Sequence, residues 1–221
     1  MILNNKVIAV DGPAGAGKST VAKKLSEIIN FTYIDSGSMF RAITLKVIKE
    51  GIEIDDIDRI IYYANNSSID FINNNIYLDG VNVSNEIRDS LVNAKVSHIA
   101  KIPKIREAIV IIQRRIARNK NVVVDGRDIG TTVFPHAFIK FYLTASVEER
   151  AKRRYNELVN KTQYSFEEVK NQILSRDYID SHREASPLKQ AEDAILIDTT
   201  GKNIDEVITE LLYHISMNGG I

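Results

Sequence analysis

The sequence predicts an α/β fold: a doubly wound, five-stranded parallel sheet with helices on both faces and a small inserted antiparallel sheet. Three observations predict it. Short apolar runs bounded by turn residues alternate with stretches of helical spacing along the chain. The first run, Val7-Ile8-Ala9-Val10, passes through a glycine-rich turn into an amphipathic helix whose apolar face is marked by Val21, Ala22, Leu25, Ile28 and Ile29. Residues 69–83 then break the rhythm with three short alternating runs separated by Asn73-Asn74-Asn75 and Asp79-Gly80, which is hairpin turn chemistry.

The remaining elements follow in order. Thr32 to Asp35 reads as a short strand ending in Ser36-Gly37-Ser38, and Met39 to Glu50 as a helix stopped by Gly51. Residues 86–118 have helical spacing broken near Pro103. Val122-Val123-Val124 is a buried strand opening onto Asp125-Gly126-Arg127-Asp128. Phe138 to Leu143 is a further strand, Val147 to Val159 a basic helix, Phe166 to Ile179 another helix, and Ala194 to Asp198 the last strand, before a closing helix through Ile204, Val207, Leu211 and Leu212. The expected organisation is one domain over 1–221, with an inserted segment near 62–102 and a lid near 150–170.

Composition narrows the function classes. The chain has 221 residues, and its 44% hydrophobic content is enough to fill a sizeable core. Lys plus Arg equals Asp plus Glu at 29 each, so no positive field advertises nucleic acid or an acidic membrane, and anion recognition has to be local. There is no cysteine, which excludes disulfides and thiolate zinc sites. No apolar run reaches the roughly 18 residues of a membrane span. A soluble, cytoplasmic protein without nucleic-acid or membrane partners is expected.

The turn after the first strand carries specific chemistry. Gly12-Pro13-Ala14-Gly15-Ala16-Gly17-Lys18-Ser19 fits GxxxxGK[ST]. Glycines let the backbone curl so that N–H groups converge at the open end of the next helix, a seat for phosphate. Lys18 supplies a mobile charge for the β and γ phosphates, and the Ser19 hydroxyl is placed to ligate magnesium. Ligands in such sheets lie at the carboxyl ends of the strands. Ser36, Arg41, Asp125, Arg127 and Asp128 all fall just beyond strand ends and therefore converge on Lys18.

DGPAGAGKST, DSGSMFR at 35–41, VSNEIR at 83–88, PKIREAI at 103–109, DGRDIGTTVFP at 125–135 and SRDYIDSHREASPL at 175–188 together resemble the bacterial cytidylate kinases. The adenylate kinase type tends instead to DGFPR where this chain has DGRD. The resemblance implies phosphorylation of CMP and dCMP by ATP with magnesium, in a monomer. It implies that Gly12 to Ser19, Thr20, Arg153 and Arg154 contact ATP. Ser36, Arg41 and Arg127 would hold the acceptor's phosphate, joined by Arg176 and Arg183. Lys18, Arg127, Arg176 and Arg183 would stabilise the transferring group, since guanidinium forks bind phosphate oxygens in pairs. Ser97, Arg106 and Asp128 would read the base, because a carboxylate accepts from cytosine's amino group and faces uracil's carbonyl unfavourably. Asp180 would contact the sugar.

Competing structural readings stand beside these. Arg176 and Arg183 are seven apart, two turns if the helix continues, and are equally suited to pairing with Asp177, Asp180 and Glu184. Asp128 is suited to orienting Arg127 or capping a turn. Asp125 either holds a water on magnesium or is buried against Lys18. Arg150, Lys152, Arg153 and Arg154 are either the start of a lid or a solvated helix face neutralised by Glu148, Glu149 and Glu157. Two other functions share the phosphate loop: a kinase of a small metabolite such as shikimate or gluconate, and a nucleotide-dependent switch without an acceptor.

Overall fold

The computed structural model describes residues 5–72, 74–158 and 164–220. The apolar run after the N-terminus forms β1 (Val7–Asp11), and the glycine-rich turn leads into α1 (Lys18–Ile28). β2 (Thr32–Asp35) runs into α2 (Ser36–Lys49), which starts three residues earlier than its apolar spacing suggests because the Asp35 side chain accepts from Ser38 N–H at 2.9 Å and caps it. After α3 (Ile57–Asn65), the strands β3 (Ile69–Ile72), β4 (Asn75–Leu78) and β5 (Val81–Asn82) form the small antiparallel sheet. A single 3₁₀ turn at 86–88 leads to α4 (Ser90–Ala100), and α5 (Pro103–Ala117) begins on its proline.

β6 (Val122–Asp125), a π-turn at 129–133, β7 (Ile139–Thr144) and α6 (Val147–Leu158) follow. α7 (Phe166–His182) opens on a capping box between Ser165 and Glu168. β8 (Ile195–Asp198) and α8 (Ile204–Met217), the latter capped by Asn203 and Glu206, close the chain.

The main sheet has the order β2-β6-β1-β7-β8 and every pairing is parallel. Its residues alternate between two cores. Ala9, Val122 and Val124 face α2, α4 and α5, whereas Ile8, Val10, Val123 and Phe141 face α1 and α8. A third, smaller cluster of Ala151, Val169 and Ile173 joins α6 to α7. No helix among the described residues is long and apolar enough to cross a membrane.

Three local expectations change. Ile28 is 52% exposed rather than part of the buried face of α1, which rests on Val21, Ala22 and Leu25. Ala194 precedes β8. α7 ends at His182 with Arg183 as an extended cap, so Arg176 and Arg183 do not share a helical face. Residues 159–163 of the expected lid, and Asn73 of the first hairpin turn, lie outside the described residues.

The register fixes the phosphate loop by steric necessity at Gly12, whose φ is +145°. A Cβ there would lie 2.0 Å from the Leu143 carbonyl oxygen of β7, whereas a Cβ at Gly51, φ +62°, would meet open space. Gly12→Ala should lower stability by about 3 kcal/mol or more, and Gly51→Ala by about 1–2 kcal/mol, the ordinary cost of left-handed backbone. Thermal unfolding of the two variants checks the ordering.

Candidate active site

The carboxyl ends of β1, β2 and β6 open into a cavity of about 1470 Å³. Every candidate residue from the sequence lines it except Gly12 and Pro13, which lie in the loop's first turn. Gly17, in left-handed conformation, sets the start of α1, so the first N–H groups of that helix face the cavity. Lys18 is buried and its Nζ donates to the Pro13 carbonyl at 2.6 Å. Burial, and next the positive Arg127, push its pKa well below the usual lysine range against the pull of Asp125.

Asp125 is the end of β6 and is 3% exposed. It accepts from Ser19 Oγ at 2.8 Å and from Tyr33 Oη at 2.8 Å. Burial and the neighbouring Asp35 raise its pKa to about 6 despite those two donors. Burial and the charge of Asp125 raise the Tyr33 phenol above its ordinary value. Asp125 therefore orients Ser19, and the hydroxyl and carboxylate together present hard oxygen donors of the type magnesium accepts.

A second set of cations lies beyond the phosphate loop. Arg127 Nε donates to Asp180 Oδ2 at 2.8 Å, and this carboxylate outweighs burial to raise the arginine's pKa. Burial would raise the pKa of Asp180, but Arg127, Arg176 and Arg183 hold it below its ordinary value. Arg41 on α2 makes one long hydrogen bond, 3.4 Å to Asn93 Oδ1, and burial depresses its pKa. Arg176 is half-buried on α7, and its Nε is buried without a partner. Burial, then Arg127 and Arg41, bring it down to about 9. Guanidinium groups crowded and buried in this way favour the approach of an anion.

Next to them, Asp128 is fixed between two arginines. Its Oδ2 accepts from Arg106 Nη2 at 2.6 Å, and its Oδ1 lies 3.6 Å from Arg183 Nη2. It does not cap the following turn with its side chain and does not contact Arg127 through a hydrogen bond. Arg106 also donates to the Ala100 carbonyl at 2.9 Å and stacks 5.1 Å from the Phe40 ring centre. Arg183 donates to Ser186 O and sits 3.4 Å from Asp180, and burial and Arg106 lower its pKa to about 10. Asp180 is buried rather than a helix-surface partner. Ser97 faces the same cavity from α4.

Of the basic helix, Arg153 lies over the phosphate loop and donates to Thr199 Oγ1 at 3.0 Å and to Thr199 O at 2.6 Å. Arg154 pairs with Glu157 near the surface, and Lys152 is exposed. Arg150 is neither lid surface nor solvated face: it is 5% exposed and donates to Ala14 O at 3.0 Å and to Asp177 Oδ2. Asp177 Oδ1 in turn accepts from Ala14 N–H at 3.0 Å, so both polar atoms of that residue in the phosphate loop are gripped by the α6–α7 arm.

Asp177, expected only as an ion-pair partner of Arg176 or Arg183, instead pairs with Arg150 and Ala14. The reading by residue type missed Asp11, whose carboxylate accepts from Ile129 N–H at 2.9 Å and Gly130 N–H at 2.7 Å and which burial raises to about 6. The available signal for Asp11 was its place as the last residue of a buried strand. Tyr33 and Gln113 carried no signal beyond their apolar surroundings.

A family model described as cytidylate kinase matches residues 8–217. The chain belongs to the cytidylate kinase family. A cytidylate kinase of Caldanaerobacter subterraneus subsp. tengcongensis is 54% identical over 212 residues, covering 96% of this chain and 95% of its own length. That of Alkaliphilus oremlandii is 52% identical over 206 residues, covering 93% and 95%. Among solved structures, a shikimate kinase from Acinetobacter baumannii in complex with shikimate aligns with a TM-score of 0.50 at 18% identity over 97% of this chain and 95% of that one, a likeness of fold. Membership of the cytidylate kinase family makes the protein a nucleoside monophosphate kinase.

Two outcomes test the geometry. Arg176→Met removes an unpaired cation, so the ligand-free variant should melt no lower than the parent while losing the rise in melting temperature that CMP produces; differential scanning calorimetry with and without CMP measures both. Asp177→Ala should cost about 3–5 kcal/mol by leaving Arg150 buried and unpaired, which denaturant titration reads directly, whereas Asp198→Ala at the exposed end of β8 should cost under about 1 kcal/mol.

Proposed function

We propose that this protein transfers the γ-phosphoryl group of ATP to CMP and dCMP, giving ADP with CDP or dCDP. The observation that carries the reading is the second cationic seat, Arg41, Arg127 and Arg176, in the same cavity as Lys18 but separate from the phosphate loop. One phosphate chain needs one seat. A second, with an orphaned guanidinium, suits an acceptor that brings its own phosphate, which a neutral sugar or shikimate-like acceptor would not fill in the same way.

In this reading Gly12 to Thr20 surround the ATP phosphates, with Arg153 and Arg154 on the donor side. Ser36, Arg41 and Arg127 hold the CMP phosphate, and Arg176 and Arg183 complete the cationic surround with Lys18. No general base is required, since a monophosphate's second ionisation lies near pH 6, and its oxygen is a competent nucleophile once positioned. Arg127, Arg176 and Lys18 then stabilise charge on the transferring group in a site from which water is excluded. Magnesium, when bound with ATP, neutralises phosphate charge; Ser19 would ligate it and Asp125, which holds Ser19, would orient its water. Asp128 accepts from the cytosine amino group, with Arg106 fixing the carboxylate and Ser97 nearby, while Asp180 contacts the sugar. The inserted segment near 62–102 helps to bind the nucleoside monophosphate and the segment near 150–170 acts as the lid. The reading includes a monomer acting on free cytoplasmic nucleotides, as the resemblance implies.

A coupled ADP-release assay with ATP and magnesium tests the reading, run with CMP, dCMP, UMP, AMP and no acceptor. CMP and dCMP should be turned over strongly and UMP weakly. Asp128→Asn should cut kcat/KM for CMP by about 10–100-fold and narrow the CMP over UMP preference, since a buried charge-assisted hydrogen bond is worth about 1.5–3 kcal/mol. ADP release independent of every monophosphate would overturn the reading.

A further inference from the structure

Between α2 and α5 the apolar packing encloses one amide that the core itself does not use. Gln113, on the same helix as the buried Ile109 and Ile116, is 1% exposed. Its Nε2 donates to Ser36 Oγ at 2.6 Å, and its Oε1 is buried with no partner. A buried amide with half of its hydrogen-bonding capacity unmet costs stability, and an apolar side chain of the same volume would fill the space without that penalty. The one contact it makes leads out of the core: Ser36 opens α2 at the end of β2 and lines the cavity, little more than one turn before Arg41.

We infer that Gln113 is a positioning residue for the acceptor phosphate, acting by holding the Ser36 hydroxyl as a donor toward the cavity. A hydroxyl carries one proton and two lone pairs. The Gln113 N–H occupies a lone pair from the core side, so the Ser36 proton is left to point away from α5. Phosphate oxygens only accept hydrogen bonds, and a hydroxyl free to rotate would spend part of its time with a lone pair toward them. The amide's donor end removes that orientation, and the orphaned Oε1 is the cost of presenting it.

This inference rests on the reading of CMP as acceptor. The experiment measures KM for CMP, KM for ATP, kcat and thermal stability for the wild type, Gln113→Met, Ser36→Ala and the double variant. Gln113→Met should raise KM for CMP about 5–10-fold, the usual worth of one buried hydrogen bond, with KM for ATP within about twofold. Added to Ser36→Ala, it should raise KM for CMP no further, because the hydroxyl it orients is gone. An equal rise in both backgrounds, or parallel rises in both KM values, would show a packing role and overturn the inference. Gln113→Asn, which keeps an amide but retracts it from Ser36, carries the same cycle if the methionine variant does not fold, with the same two outcomes. A wild type that ignores CMP overturns the acceptor reading, and this inference with it; a wild type that uses CMP while the cycle shows no coupling overturns the inference alone.

Discussion

Three neighbouring strands of the sheet end in aspartate at the same edge. β2, β6 and β1 are adjacent in the order of the sheet, and Asp35, Asp125 and Asp11 close them, all buried. The parallel register sets Asp35 directly beside Asp125. Carboxylates this close in a low dielectric are costly, which is why burial and mutual repulsion hold Asp125 near 6. The arrangement survives because each one recruits donors: Ser38 N–H in the first turn of α2 for Asp35, the Ser19 hydroxyl of α1 and the Tyr33 hydroxyl of β2 for Asp125, Ile129 and Gly130 N–H for Asp11. Each bond also fixes a functional segment. The acidic edge thus sets the start of α2, the first turn of α1 and the path of the 126–133 loop, from which Arg127 and Asp128 project.

Against that acidic edge the cavity places a layer of arginines, and the two layers do not cancel. Arg127 and Arg183 have carboxylate partners, although Arg183 Nη2 is buried without a hydrogen bond, as is Arg176 Nε, and Arg41 makes one long bond. Desolvating a charge without a partner is unfavourable, and in the proposed reading these are the groups that the acceptor's phosphate meets. Burial depresses the pKa values of both Arg41 and Arg176, and for Arg176 the neighbouring Arg127 and Arg41 add to it. An anion entering there finds donors that protein groups have not already claimed, so the binding of phosphate relieves a cost built into the fold.

The fold was largely legible in the sequence because its signals are local. The strand-loop-helix unit at 7–29, the hairpin turns near Asp79-Gly80 and the apolar strand 122–125 each declare themselves within a few residues. The candidate site was legible where chemistry-bearing residues follow strand ends, as at Ser36, Arg127 and Asp128. What the sequence hid depends on partners distant along the chain. Asp177 looks like one more helix-surface acid until the fold brings it to Ala14, 163 residues away. Gln113 interrupts an otherwise apolar stripe and reads as an imperfection until Ser36 is seen against it. The helix expected to end at Ile179 runs on to His182, and Arg183, just beyond it, reaches the cavity from the loop as expected but off the helical face of Arg176.

The grip of α6 and α7 on the phosphate loop has a consequence for how the two halves of the site relate. Asp177 binds the loop through Ala14, and one turn later on the same helix Asp180 binds Arg127 on the acceptor side. Arg176 immediately precedes these contacts in sequence and lines the cavity. In the proposed reading a single helix therefore spans the donor seat and the acceptor seat. In-line transfer needs that distance held within a fraction of an ångström, since a misplacement of about 1 Å is enough to cost about a hundredfold in rate. Because neighbouring turns of α7 touch both seats, a displacement of this helix moves the contacts to donor and acceptor together rather than opening one site while leaving the other intact. In that reading the polar contacts on α7 that resemble ordinary salt bridges keep the two phosphate sites in register.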